Sequence, residues 1–167
     1  MRCLVAGLAV CGLVACSDPP LDCVQNLDPD HCTALYPPTF DNVYSDTLVP
    51  KCSTGGGSCH TPEGHQAGLS FDENKPDDAY DQLLMASTTF PDRFRVIPGD
   101  ASCSEVIERI YSTATRWHMP RGSSLAPEET CSIVKWIANG ADRNPPDAMP
   151  PPPPDAPLPD AQLPDAQ

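Results

Sequence analysis

Cys52, Cys59, His60 and Met119 are the residues of this chain whose types and spacing carry the most chemistry. A histidine directly after a cysteine, with a second cysteine upstream, is how proteins hold c-type haem. The thiols add to the two vinyl groups and the imidazole takes one axial position on iron. A distant methionine can take the other position and raise the reduction potential; Met119-Pro120 follows His60 by 59 residues. Six residues separate the two cysteines where two are usual, and Gly55-Gly56-Gly57 among them permit a bulged loop that leaves the thiols a haem edge apart.

Other readings of the same residues stay open. Cys52 and Cys59 can form a disulfide around the glycine loop, or Cys59 alone can carry a single thioether. With His65 the set reads Cys-x6-Cys-His-x4-His, a zinc pattern, although adjacent Cys59 and His60 fit one tetrahedral centre poorly. His118 is an alternative axial ligand that would lower the potential, and Met119 can equally be a core methionine. Trp117 and Trp136 suit core or haem-edge packing. Arg93 and Arg95 read as a solvated charge pair, with haem propionates as the competing role. No nucleophile–base constellation appears, and Gly55 to Gly57 lack the lysine and the strand–helix context of a phosphate loop.

These residues need helices to position them, and four short ones are predicted. Phe40, Val43, Tyr44, Thr47 and Leu48 follow helical spacing and stop at Pro50. Pro76-Asp77-Asp78 opens a second helix with Ala79, Tyr80, Leu83 and Leu84 on its apolar face. After the Pro98-Gly99-Asp100 turn, Ser102 and Glu105 form a capping box for a third, with Cys103, Val106, Ile107, Ile110 and Tyr111 as its buried stripe. Pro127-Glu128-Glu129 opens the last, carrying Cys131, Val134, Trp136 and Ile137 to a stop at Gly140. No alternating strand is evident, so the class is all-α.

The flanks have other jobs. Cys3 to Ala15 is apolar after Arg2, and as a helix it would rise only about 20 Å, which reads as a signal segment over residues 1–15. Leu13-Val14-Ala15-Cys16 resembles a bacterial lipobox, which implies cleavage before Cys16, lipid on its thiol and amino group, and a membrane anchor. An ordinary signal peptide with an incidental cysteine is the plainer alternative. Residues 16–38 read as a Pro/Asp-rich tether and residues 144–167 as a disordered acidic proline-rich tail, leaving one domain at 39–143. The two spacers hold eight aspartates and no Lys or Arg, and the domain has 15 acids against nine bases. Such acidity argues against nucleic acid as a partner.

Six cysteines remain after the signal and Cys16: Cys23, Cys32, Cys52, Cys59, Cys103 and Cys131. An even number in an exported chain suits disulfides, haem thioethers or both. Cys103 and Cys131 sit near the starts of the last two helices and are expected to pair, leaving Cys23 with Cys32 in the tether.

The order of motifs resembles the cytochrome c-like domains found in exported proteins of planctomycetes and related bacteria. The resemblance runs from about Phe40 to Asp142, through Cys59-His60, Gly68-Leu69, Pro98-Gly99-Asp100, Arg109-Ile110, Met119-Pro120 and Trp136-Ile137. It implies haem attachment at Cys52 and Cys59, with His60 and Met119 as axial ligands of a single haem c. The implied role is a lipid-anchored electron carrier of the cell envelope, handing single electrons between redox partner proteins rather than acting as a catalyst. The alternative is a haem-free, disulfide-stapled lipoprotein serving as an interaction or structural module.

Overall fold

Four α-helices and no strand are formed by the described residues, 22–53 and 59–144, of the computed structural model. The signal segment, Cys16, the triple glycine and all of the tail except Asn144 lie outside them. No helix among the described residues is long and apolar enough to cross a membrane.

Thr39 caps α1 (Phe40–Asn42), its Oγ1 accepting from the Asn42 N–H. The chain then continues as a π-helix, Val43–Ser53, instead of stopping at Pro50. In an α-helix the Pro50 ring would meet the carbonyl of Asp46; the wider winding separates the two and lets the helix run on. That extension matters, because it carries Lys51 and Cys52 toward the interior face where the other candidate residues lie.

Phe40 is the hub of the core. Fully buried, it stacks on Tyr44 at 5.4 Å, meets Tyr80 edge-on at 5.0 Å and touches Trp136 at 5.6 Å. These contacts draw together α1, α2 (Pro76–Leu84) and α4 (Pro127–Ala138). Leu83, Ile107, Ile133 and Ile137 complete the interior. α4 starts with the Glu129 carboxylate accepting the Ala126 N–H at 2.9 Å and stops at Gly140, whose φ of +104° suits glycine.

α3 (Glu105–Tyr111) departs from its expected start. Asp100, not Ser102, takes the free Cys103 N–H at 3.1 Å, and Ser102 merely donates to the same carboxylate. The Glu105 N–H that a Ser102 cap would have received bonds Phe94 O at 3.1 Å instead. Glu105 is thereby released from capping and its carboxylate turns inward. Cys103 precedes the helix, and Tyr111 is half exposed rather than part of a buried stripe.

The disulfides also differ from expectation. Cys23 bonds Cys103 and Cys32 bonds Cys131, so neither Cys103–Cys131 nor Cys23–Cys32 forms. The segment expected to be a free tether is laid against the helices from Asp22 onward. Val24 N donates to Ser102 O at 2.9 Å, and Leu35 N donates to Glu128 O and Ser132 Oγ. Those bonds set Cys23 beside one helix start and Cys32 beside the other. The bridges span 80 and 99 residues; closing loops that long removes the most entropy from the unfolded chain, about 4.5 kcal/mol each in the chain-entropy model.

Candidate functional site

The segment after the masked loop folds back on itself. Gln66 N donates to Cys59 O at 2.9 Å and Phe71 N to His60 O at 2.7 Å, closing a compact loop. Left-handed backbone at His65, Ala67 and Gly68 makes the reversal. Gly68 is required there on two counts: its φ is +68°, and a Cβ would meet the Thr88 methyl at 3.0 Å. Buried Arg95 holds the loop from below, donating to Ala67 O at 2.8 Å and Gln82 O at 2.7 Å.

This loop presents His60 to a cavity of about 290 Å³, close to the lower end of the roughly 300–1,000 Å³ common for small-molecule sites. Cys52 from the π-helix, Cys59 and His60 from the loop, and Met119 from the segment after α3 all line it. Leu48, Phe71, Val106, Ile110, Leu125 and Ile133 supply apolar walls. The Met119 N–H donates to Arg109 O at 3.0 Å, which ties the methionine segment to the end of α3. Four residues drawn from three separate stretches of chain thus share one hollow.

The tautomer of His60 is fixed by its surroundings. Its Nδ1 lies 3.0 Å from Leu69 O; a carbonyl only accepts, so Nδ1 carries the proton and the Nε2 lone pair is left available. Fixing the tautomer this way is the usual support of a metal-bound imidazole. Burial pushes its pKa below the ordinary histidine value, and the positive fields of Arg109 and Arg95 push the same way, against the Leu69 bond. The ring is neutral at neutral pH.

Cys52 and Cys59 are both free thiols, in contrast to the four cysteines of the two bridges. Burial, reinforced by the charge of Glu129, pushes the Cys52 pKa up to about 12. A thiol that holds its proton so firmly is a poor participant in disulfide exchange. Among the described residues no group of three or more His, Cys, Asp or Glu side chains is assembled to hold a metal ion.

His118 is turned elsewhere. Its Nδ1 lies 2.8 Å from Ser112 O and its Nε2 2.8 Å from Ser123 O, and it does not line the cavity. Arg93 and Arg95 are not a solvated pair. Arg93 is joined to the buried carboxylate of Glu108, Arg95 is enclosed beneath the loop, and neither reaches the cavity. Burial holds the Glu108 carboxyl above the ordinary carboxylate range, with Arg93 opposing. Trp136 belongs to the core, whereas Trp117 lines the cavity.

The cations at the site are others. Arg109 lies over the Trp117 ring at 5.1 Å and over Phe90 at 5.8 Å, gripped by Glu105 at 2.6 and 2.8 Å. Beside it, the Trp117 Nε1–H is sealed from solvent with no acceptor in reach. A buried donor without an acceptor is costly, so a group that completed it would stabilise this wall. The residue types gathered here are ones that would suit a haem: thiols that would carry thioethers, an imidazole and a thioether that would face iron, and apolar walls. The sequence offered Trp117 for core or haem-edge packing, whereas Arg109 entered only through the Arg109-Ile110 motif and not as a site cation.

No protein-family model, no curated protein and no solved structure matches this chain.

Proposed function

We propose that this chain is a c-type cytochrome-like electron carrier of the cell envelope, anchored by lipid at Cys16, with one haem c attached through Cys52 and Cys59. The observation that carries the reading is the convergence of both free thiols, neutral His60 and Met119 on one apolar cavity. Haem, when bound, supplies one-electron chemistry at iron.

The chain's own residues do the rest. His60 offers Nε2 because Leu69 O holds Nδ1. Met119 offers a soft thioether from the opposite stretch of chain, which favours the reduced state. Leu48, Phe71 and Ile133 exclude water and lower the local dielectric. Arg109 and the Trp117 N–H would orient a propionate, with Glu105 keeping the guanidinium in register.

Production in a host able to mature c-type cytochromes tests this reading. A reduced haem spectrum that persists through denaturation is the expected result; a colourless protein would overturn it. The second reading is a haem-free interaction module, and the two long-range cystines favour it, since they staple the helices without help from a cofactor.

A further inference from the structure

The peptide unit between Leu69 and Ser70 carries a hydrogen bond on each of its two edges. Its carbonyl lies 3.0 Å from His60 Nδ1 and accepts that proton. Its N–H, the Ser70 amide, donates to Gln82 Oε1 at 2.8 Å. The unit is trans, so the two groups point in opposite directions from one plane. His60 therefore stands on one side of the plane, and Gln82, from the last turn of α2, on the other. Turning the plane so that the carbonyl left the imidazole would break both bonds.

The neighbouring peptides are held as well. Leu69 N donates to Gln66 O at 3.1 Å and Phe71 N to His60 O at 2.7 Å. Neither bond sets the rotation of the plane between them; the bond to Gln82 does. Gln82 is itself well seated, because its backbone carbonyl accepts from Arg95 at 2.7 Å and from the Met85 N–H at 3.2 Å. Satisfying the Ser70 N–H does not by itself call for a side chain. A hollow of about 210 Å³ lined by Ser70 and Gln82 adjoins it, and a water there would serve. A helix-borne acceptor adds direction.

From this geometry we infer that Gln82 is a positioning residue for His60, aiming the Leu69 carbonyl at Nδ1 so that Nε2 stays free to bind a ligand. The inference rests on the proposed role of His60 as an axial ligand and adds the residue that orients it. The chain from Gln82 through one peptide to the imidazole is also polarised along its length. An acceptor on the amide N–H makes the carbonyl oxygen a stronger acceptor, which in turn draws on the Nδ1 proton and enriches Nε2 in electrons.

Two substitutions separate aim from stability. Gln82→Met keeps the length of the side chain and removes the acceptor. Gln82→Glu keeps an acceptor and makes it an anion, close to the Arg95 guanidinium that bonds the same residue. In haem-free, full-length protein at about pH 8, where the ring is neutral, nitrogen-15 NMR reads the His60 Nδ1–H directly. Gln82→Met should speed exchange of that proton with solvent about fivefold, the loss of one net hydrogen bond, and shift the ring toward the Nε2–H tautomer. Gln82→Glu should keep the tautomer and exchange no faster than the unaltered protein. An unchanged His60 in Gln82→Met would overturn the inference. So would the same rise at the amides of buried Val96 and Ile107, which would make Gln82 a structural residue only.

Haem-loaded protein supplies a second readout. A more electron-rich imidazole favours ferric iron, so the potential should rise in Gln82→Met and fall in Gln82→Glu. A structural lesion moves both variants the same way. Potentials that move together, or not at all, would overturn the inference. Protein that takes up no haem defeats the electron-carrier reading instead, and the NMR comparison in that same protein still decides whether Gln82 aims His60.

Discussion

Cys131 and Ile133 are two residues apart on α4, yet they belong to regions built on different principles. Cys131 closes a covalent seam in which Cys23–Cys103 and Cys32–Cys131 fasten the N-terminal segment to the starts of α3 and α4. Ile133 faces a hollow where two cysteines stay unpaired beside a histidine, a methionine and an unsatisfied indole N–H. The seam is complete in itself. The hollow keeps two thiols unpaired and the Trp117 N–H without an acceptor. Cysteine thus closes bridges in one region and stays a free thiol in the other, where burial holds the Cys52 thiol protonated.

The largest effect expected is at His60. His60→Ala should abolish the haem spectrum, whereas Cys32→Ala with Cys131→Ala should leave its position unchanged; absorption spectra of both variants check this. Loss of colour in the cystine variant with His60→Ala unaffected would invert the comparison.

Removing the seam should be felt in stability instead. The Cys32–Cys131 variant is expected to lose about 2–5 kcal/mol of unfolding free energy, read from the midpoint of urea unfolding. Trp117→Phe sharpens the contrast further. In haem-free protein it should cost little or even stabilise, because the Nε1–H has no partner to lose. With haem present it should cost about 1.5–3 kcal/mol, the worth of a hydrogen bond to a charged group. Equal effects in the two forms would deny the indole its role.

The smallest effect is a pH dependence. His60 has its folded pKa depressed by burial, so the unfolded chain binds its proton more tightly. The associated stability is present above about pH 6.5 and is lost as the pH falls through the lower, folded value. Denaturant midpoints of haem-free protein should therefore drop as the pH falls below about 6.5, and His60→Asn should remove that component of the slope.

The helices were legible because their signals are local. Pro76 with Asp77, Pro127 with Glu129 and the stop at Gly140 act within one turn, and α2 and α4 follow them. The π-helix was not, since Pro50 ends an α-helix by rule and only a wider winding carries the chain past it. The disulfide pairing failed for a related reason: proximity of two helix starts said nothing about a third segment lying between them. In the candidate site, Cys52, Cys59, His60 and Met119 could be read from residue type and order. Trp117 could be read only as core or haem-edge packing and Arg109 not as part of the site, because their pairing lies in a cation over an indole and an N–H without an acceptor. Neither leaves a trace in spacing.

The most direct test is the intact mass of the exported protein after denaturation and alkylation without reduction. The account predicts one haem added, two disulfides retained, and no alkyl group on Cys52 or Cys59. Alkylation of both thiols, or a third disulfide joining them, would contradict it.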